Sequence, residues 1–146
     1  MKILLYLVVM FGGLSLGAAA QKKDTVWVLS CPLNQAVEPP AEKQPYSLGV
    51  AQPKIILTSA TDTLAKAVIS GTVTNVMRDE DGKWELMFHN NDKYFWYSGL
   101  SKVIVSKGQK LKNGDPVGVL KAGDKLELML YDFETPVDPR KFLRCE

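Results

Sequence analysis

Apolar residues along this chain come in short bursts, each ended by a turn signal. Residues 54–58 (KIILT), 84–88 (WELMF), 93–97 (KYFWY), 103–105 (VIV), 116–120 (PVGVL) and 125–131 (KLELMLY) are rich in the β-branched, aromatic and aliphatic side chains of half-buried strands. Residues 25–30 (TVWVLS) read as a further strand, and residues 67–77 as one long strand bent at Gly71. Asp79-Glu80-Asp81-Gly82 predicts a hairpin turn, with Asp-Gly as its strongest signal. Asn90-Asn91-Asp92 predicts the next, from residues that tolerate positive φ. Outside the first twenty residues, no window of ten or more has a helical period. Only residues 138–143 (DPRKFL) predict a closing turn of helix, with Pro139 suited to its first position. Short strands at regular intervals predict an all-β domain, an antiparallel sandwich or barrel-like body.

The first twenty residues break this pattern. Lys2 supplies a short positive region, residues 3–16 form an apolar run, and Ala18-Ala19-Ala20 provide small residues ahead of Gln21. This is the layout of a signal peptide cleaved before Gln21. The run is shorter than the roughly 20 residues that span a bilayer, so no stable membrane span is expected after cleavage. The protein is expected to be exported, periplasmic or secreted. Val28-Leu29-Ser30-Cys31 distantly resembles a lipid-attachment box, but Lys22, Lys23 and Asp24 separate it from the leader. Residues 32–45 hold four prolines, Pro39-Pro40 among them, and read as an extended surface connection. The expected parts are therefore a signal peptide (1–20), an N-terminal strand with a Pro-rich segment (21–46) and the main domain (47–146).

Composition narrows the function classes. A chain of 146 residues supports one hydrophobic core. The formal net charge of +2 falls to +1 without Lys2, and no basic stripe is present, which excludes the electrostatic footprint of a nucleic-acid binder. Cys31 and Cys145 are an even count in an exported chain and predict a disulfide joining the two ends. His89 is the one histidine, so no histidine-activated serine or cysteine is expected. Asp79, Glu80 and Asp81 fall in a solvated turn. His89 itself reads as a histidine hydrogen-bonded to backbone near a hairpin. Strand alternation sends Tyr94 and Trp96 one way and Phe95 and Tyr97 the other. One pair is core, and Tyr94, Trp96 and Tyr97 are the candidate groove aromatics.

Three segments carry a family likeness. Residues 67–73 (AVISGTV) resemble a strand closed by Gly-Thr-Val. Residues 89–100 (HNNDKYFWYSGL) resemble a hairpin ending in Tyr-Ala-His-Leu, followed by the paired-glycine stretch VSKGQKLKNG at residues 105–114. Pro136-Val137-Asp138-Pro139 with Phe142-Leu143 resembles a Pro-Val-Asn-Pro…Tyr-Leu ending. In order and spacing, these resemble the lysostaphin-type (LytM-like) zinc endopeptidases, which cut peptidoglycan cross-bridges on a fold called the duplicated hybrid motif.

The likeness implies that the metal site is gone. The family's first histidine and the aspartate four residues later fall on Gln52 and Ile56. The histidine of Tyr-Ala-His-Leu falls on Gly99, and the final His-x-His pair falls on Lys125 and Glu127. A hydrolytic zinc needs three protein ligands of the imidazole or carboxylate kind and an open position for water. An ammonium, an aliphatic side chain and a glycine supply none of these. The turn before Lys125 is also shortened, to Lys121-Ala122-Gly123-Asp124.

The resemblance thus implies a non-catalytic, peptidase-like module with no cofactor and no metal, not an enzyme. Its relic groove, marked by Gln52, Ile56, Gly99, Lys125 and Glu127, would bind peptidoglycan or a cell-envelope protein such as a wall hydrolase. The alternative is a structural or assembly component of an envelope complex with the groove covered. A carrier-domain reading finds no support, because Lys125 lacks the methionine-flanked hairpin of a modifiable lysine.

Overall fold

The structure, a computed structural model, describes residues 27–41 and 52–145. The expected leader, Thr25 and Val26, and the expected boundary near residue 47 lie outside the described residues. In chain order the strands are β1 (Leu29–Ser30), β2 (Ile55–Leu57), β3 (Leu64–Lys66), β4 (Gly71–Arg78), β5 (Trp84–Asn90) and β6 (Lys93–Leu100). They continue as β7 (Lys102–Val103), β8 (Lys110–Leu111), β9 (Pro116–Val119), β10 (Leu126–Asp132), β11 (Thr135–Val137) and β12 (Leu143–Arg144). A 3-10 turn, Pro139–Lys141, is placed as its sequence predicts, with Pro139 opening it and the Asp138 side chain accepting from the Arg140 amide. No helix among the described residues is long and apolar enough to cross a membrane.

Hairpins build the main sheet. Gly82 at φ 78° and Asn91 at φ 49° make the turns of β4–β5 and β5–β6, in the left-handed region those residues tolerate. The order is β11-β10-β6-β5-β4-β8, all antiparallel, with β2 joining β10 along the edge that β11 also uses. A smaller antiparallel sheet, β3-β9-β7, packs with it, and β1 pairs in parallel with β12. The fold is all-β, as expected.

Alternation decides the core. Leu86 and Phe88, Phe95 and Tyr97, and Leu126, Leu128 and Leu130 all point inward from adjacent strands and are fully buried. Phe88 stacks on Phe95 at 4.9 Å and meets Tyr97 edge-on at 5.5 Å. Each such side chain contributes about 1.5–3 kcal/mol by leaving water. The Tyr97 hydroxyl donates to the Lys66 carbonyl and accepts from the Val68 amide, at 2.8 and 3.1 Å. Burial, opposed by the Val68 amide, pushes that phenol far above its ordinary range, so it stays neutral.

Two expectations need correction. Residues 67–77 are not one strand: β3 ends at Lys66, the chain crosses between sheets, and β4 begins at Gly71. The crossing is held by Tyr97 and by exchange between Ala67 and the turn at residues 114–115. The new strand starts at Gly71, where a Cβ would fall 2.4 Å from the His89 carbonyl oxygen, so only glycine fits. The second correction concerns the Pro-rich segment. Pro32 and Leu33 are buried, and the Pro32 carbonyl accepts from Lys66, so the stretch begins inside the core and becomes exposed at Asn34.

Asp62 ties that segment down. Its carboxylate accepts from the Asn34 amide at 2.7 Å, the Leu64 amide at 3.1 Å and Lys66 Nζ at 3.0 Å. Burial pushes the carboxyl up, but the Asn34 amide, Lys66 and the Leu64 amide together hold it below the usual carboxylate range. A depressed carboxylate contributes stability that is present above its unfolded value and lost as pH falls through the folded one. At neutral pH, Asp62→Asn is therefore expected to lower stability by about 1.5–3 kcal/mol, with the gap to wild type narrowing below about pH 4. Urea titrations across that range check this, and a pH-independent gap would count against it.

Candidate functional site

The pairing of β2 with β10 sets the site. Ile55 and Leu57 point into the core, so Ile56 points out, and Leu126 and Leu128 do the same for Glu127. Ile56 and Glu127 are register partners on that outward face. Two residues before each lie Lys54 and Lys125. Lys54 Nζ reaches the Glu127 carboxylate at 3.0 Å, a half-exposed pair worth about 0–1 kcal/mol.

These residues floor a groove of about 700 Å³, with Gln52 and Met129 at its end. The Tyr131 hydroxyl donates to Gln52 Oε1 at 2.8 Å. The opposite wall is the Pro-rich segment, residues 38–41. Val37 bridges Thr58 beyond the end of β2, and Arg140 of the 3-10 turn forms an ion pair with Glu38. Arg140 Nη1 also donates to the Lys54 carbonyl at 2.9 Å. The Glu38 carboxylate raises the guanidinium above its already high ordinary value, so the clamp is charged at any working pH.

Gln52, Ile56, Lys125 and Glu127 thus meet in one groove. Gly99 does not join them. It lies in a recess of about 360 Å³ beside Lys83, Gly123 and Asp124, with Lys125 common to both. Lys83 Nζ bonds the Asp124 carboxylate at 2.8 Å and holds it below the usual range. Gly99 sits at φ 92° where β5 and β6 shift register, and a Cβ there would fall 2.4 Å from the Lys125 carbonyl oxygen.

Of the candidate aromatics, Tyr94 and Trp96 are half-buried on the outward face. Tyr97 is corrected: it is fully buried and anchors the crossing at residues 66–68, so it lines no groove. His89 Nδ1 lies 2.9 Å from Thr74 Oγ1, so its partner is a side chain and not the expected backbone. It stands apart from the groove, in a shallow recess near Ser70 and Lys110.

The donors here do not suit a zinc ion. Ile56 has no lone pair, and Glu127 is engaged by Lys54. Among the described residues no group of three His, Cys, Asp or Glu side chains could hold a metal. Sequence reasoning missed Lys54, Met129, Glu38 and Arg140. Strand alternation from Ile56 and Glu127 would have found the first two. Glu38 and Arg140 are 102 positions apart, and nothing local links them.

Known structures share this architecture. Csd3 from Helicobacter pylori superposes with a TM-score of 0.62 at 20% identity, over 82% of this chain and 34% of that one. A chain of the SpoIIQ-SpoIIIAH pore-forming complex gives a TM-score of 0.62 at 18% identity, over 82% and 92%. Lysostaphin, the antimicrobial peptidase from Staphylococcus simulans, gives 0.51 at 23% identity, over 66% and 44%. This chain spans about a third of the Csd3 chain. No model of a known protein family and no curated protein matches it. At these identities the likeness establishes the fold: a lysostaphin-like all-β domain.

Proposed function

We propose that this protein is an exported, non-catalytic binding module that uses the groove between β2, β10 and the Pro-rich wall to hold peptidoglycan, or a hydrolase acting on it. One observation carries the reading. Gln52, Ile56, Lys125 and Glu127, the positions that the sequence resemblance aligns with the family's metal-site residues, line one open groove. On this reading the carboxylate and imidazole ligands are replaced while a groove remains.

Export is supported by the sequence of the leader and by the Cys31–Cys145 disulfide, a bond that persists in oxidising compartments. The second reading, a structural part of an envelope complex, has its own support. Residues 38–41 wall the groove under the Arg140 clamp, and one structure of the same fold is a pore-forming complex. Fold alone does not choose between the two.

Retention on purified sacculi does. Wild type is expected to sediment with sacculi and Lys125→Ala/Glu127→Ala to lose about tenfold in retention, as expected for removal of about 1.4 kcal/mol of binding. Absence of wild-type retention would exclude direct wall binding and favour a protein partner.

A further inference from the structure

The outward face of the main sheet continues the groove floor. Alternation along β6 puts Trp96 and Tyr94 on that face, and register fixes their neighbours. Met87 and Met129 flank Trp96 on the two adjoining strands, while His89 and Tyr131 flank Tyr94. Cross-strand neighbours stand about 5 Å apart and successive same-face residues about 7 Å, so these two rows form one continuous platform over three strands. Met129 belongs to both platform and groove.

The platform is fixed in place. Trp96 Nε1 donates to Glu85 Oε2 at 3.1 Å, which sets the indole orientation. The Tyr94 and His89 rings lie 5.8 Å apart. Tyr131 is held by Gln52 at the groove end. All four side chains in the centre, Trp96, Tyr94, Met87 and Met129, are half-buried and keep part of their surface open.

Charge selects the ligand class. The adjoining groove sets Lys54, Lys125 and Arg140 against Glu38 and Glu127, with Lys54 bonded to Glu127 and Arg140 to Glu38, so no strong field of one sign favours a polyanion or polycation. A neutral acetamido sugar presents apolar C–H faces and a methyl group suited to aromatic and thioether surfaces. Its hydroxyl and amide groups suit the Glu85 carboxylate, the Gln52 amide and the Tyr131 hydroxyl.

Resting on the wall-binding reading above, we propose that the platform centred on Trp96 binds the N-acetylated glycan strand of the wall polymer, and that this strand, rather than its peptide, is the ligand.

Calorimetric titration of the protein purified after export, with tetra-N-acetylchitotetraose as probe, tests this. Cellotetraose and a synthetic alanyl-glutamyl-lysine peptide are the comparison ligands. Saturable binding of the chito-oligosaccharide is expected, weakened about tenfold or more by Trp96→Ala and only about threefold by Trp96→Phe, which keeps a ring. Trp84→Phe should leave it unchanged. Glu85→Gln preserves volume and is expected to weaken binding about threefold, which decides the matter if Trp96→Ala does not fold. No binding at millimolar sugar, equal binding by Trp96→Ala, or preference for the peptide overturns the proposal. Retention on sacculi without oligosaccharide binding defeats the glycan assignment alone, whereas loss of both defeats the wall-binding reading as well.

Discussion

Removing the Cys31–Cys145 bridge is expected to lower the unfolding free energy by about 4–5 kcal/mol, the largest single effect foreseen for this fold. The bond joins residues separated by 114 positions, and the entropy that a cross-link removes from the unfolded chain grows with the logarithm of the loop it closes. Local structure gives little to replace it. The pair β1–β12 has two residues on each side, Leu29 opposite Leu143 and Ser30 opposite Arg144, and the cysteines follow in the same register. Leu29 and Leu33 are nevertheless core residues, so loosening this end opens the core. It also loosens the groove wall, which begins a few residues after Cys31. Chemical denaturation of Cys31→Ser/Cys145→Ser should show the loss, with a fall in Tm of about 10–20 °C. A double variant within about 1 kcal/mol of wild type would mean that packing alone secures the ends.

Gly99→His restores, on paper, a histidine to the Tyr-x-His-Leu phrase, and it is expected to damage the fold. The backbone there has φ 92°, and a Cβ would meet the Lys125 carbonyl oxygen at 2.4 Å. The obstacle is backbone, not the end of a flexible side chain, so the sheet itself must move. Together, strain and clash are expected to cost about 3 kcal/mol or more. Gly123→Ala is the control, since φ is 80° but nothing lies within 4 Å, and about 1 kcal/mol is expected. Urea midpoints separate the two. Equal stability of Gly99→His and wild type would refute the steric account. The pairing of β5 with β6 shifts register at this point, and the backbone leaves no room for a side chain at residue 99.

Much of the architecture was legible because it is written locally. Asp-Gly at residues 81–82 and Asn91 mark hairpins through the positive φ that those residues tolerate. Asp138-Pro139 marks a helical start through one capping carboxylate and one missing amide. The long strands β5, β6 and β10 show a period because seven or eight residues suffice to display one. The short strands do not. β3, β8 and β11 have two or three residues each, too few to show alternation. The turn before β11 was hidden for another reason: Phe133 takes φ 55° there, a conformation no sequence rule assigns to a bulky aromatic.

The site divided along the same line. Gln52, Ile56, Lys125 and Glu127 were singled out by counting along the family resemblance, and the pairing of β2 with β10 brings them to one groove. The groove wall was not, since Glu38 meets Arg140 only after the whole domain closes. Tyr97 was misplaced because alternation along residues 94–97 separates the two faces without saying which is core. Backbone partners at Lys66 and Val68 satisfy that hydroxyl inside the core, which allows full burial.

The central claim is that this groove occupies the place of a metal site whose donors have been replaced. Equilibrium dialysis against zinc, followed by metal analysis, tests it most directly on two proteins: wild type and Gln52→His/Ile56→Asp/Glu127→His. The account predicts no stoichiometric zinc on wild type and one tightly held ion on the triple variant. Zinc retained by wild type, or none on a folded triple variant, would contradict it.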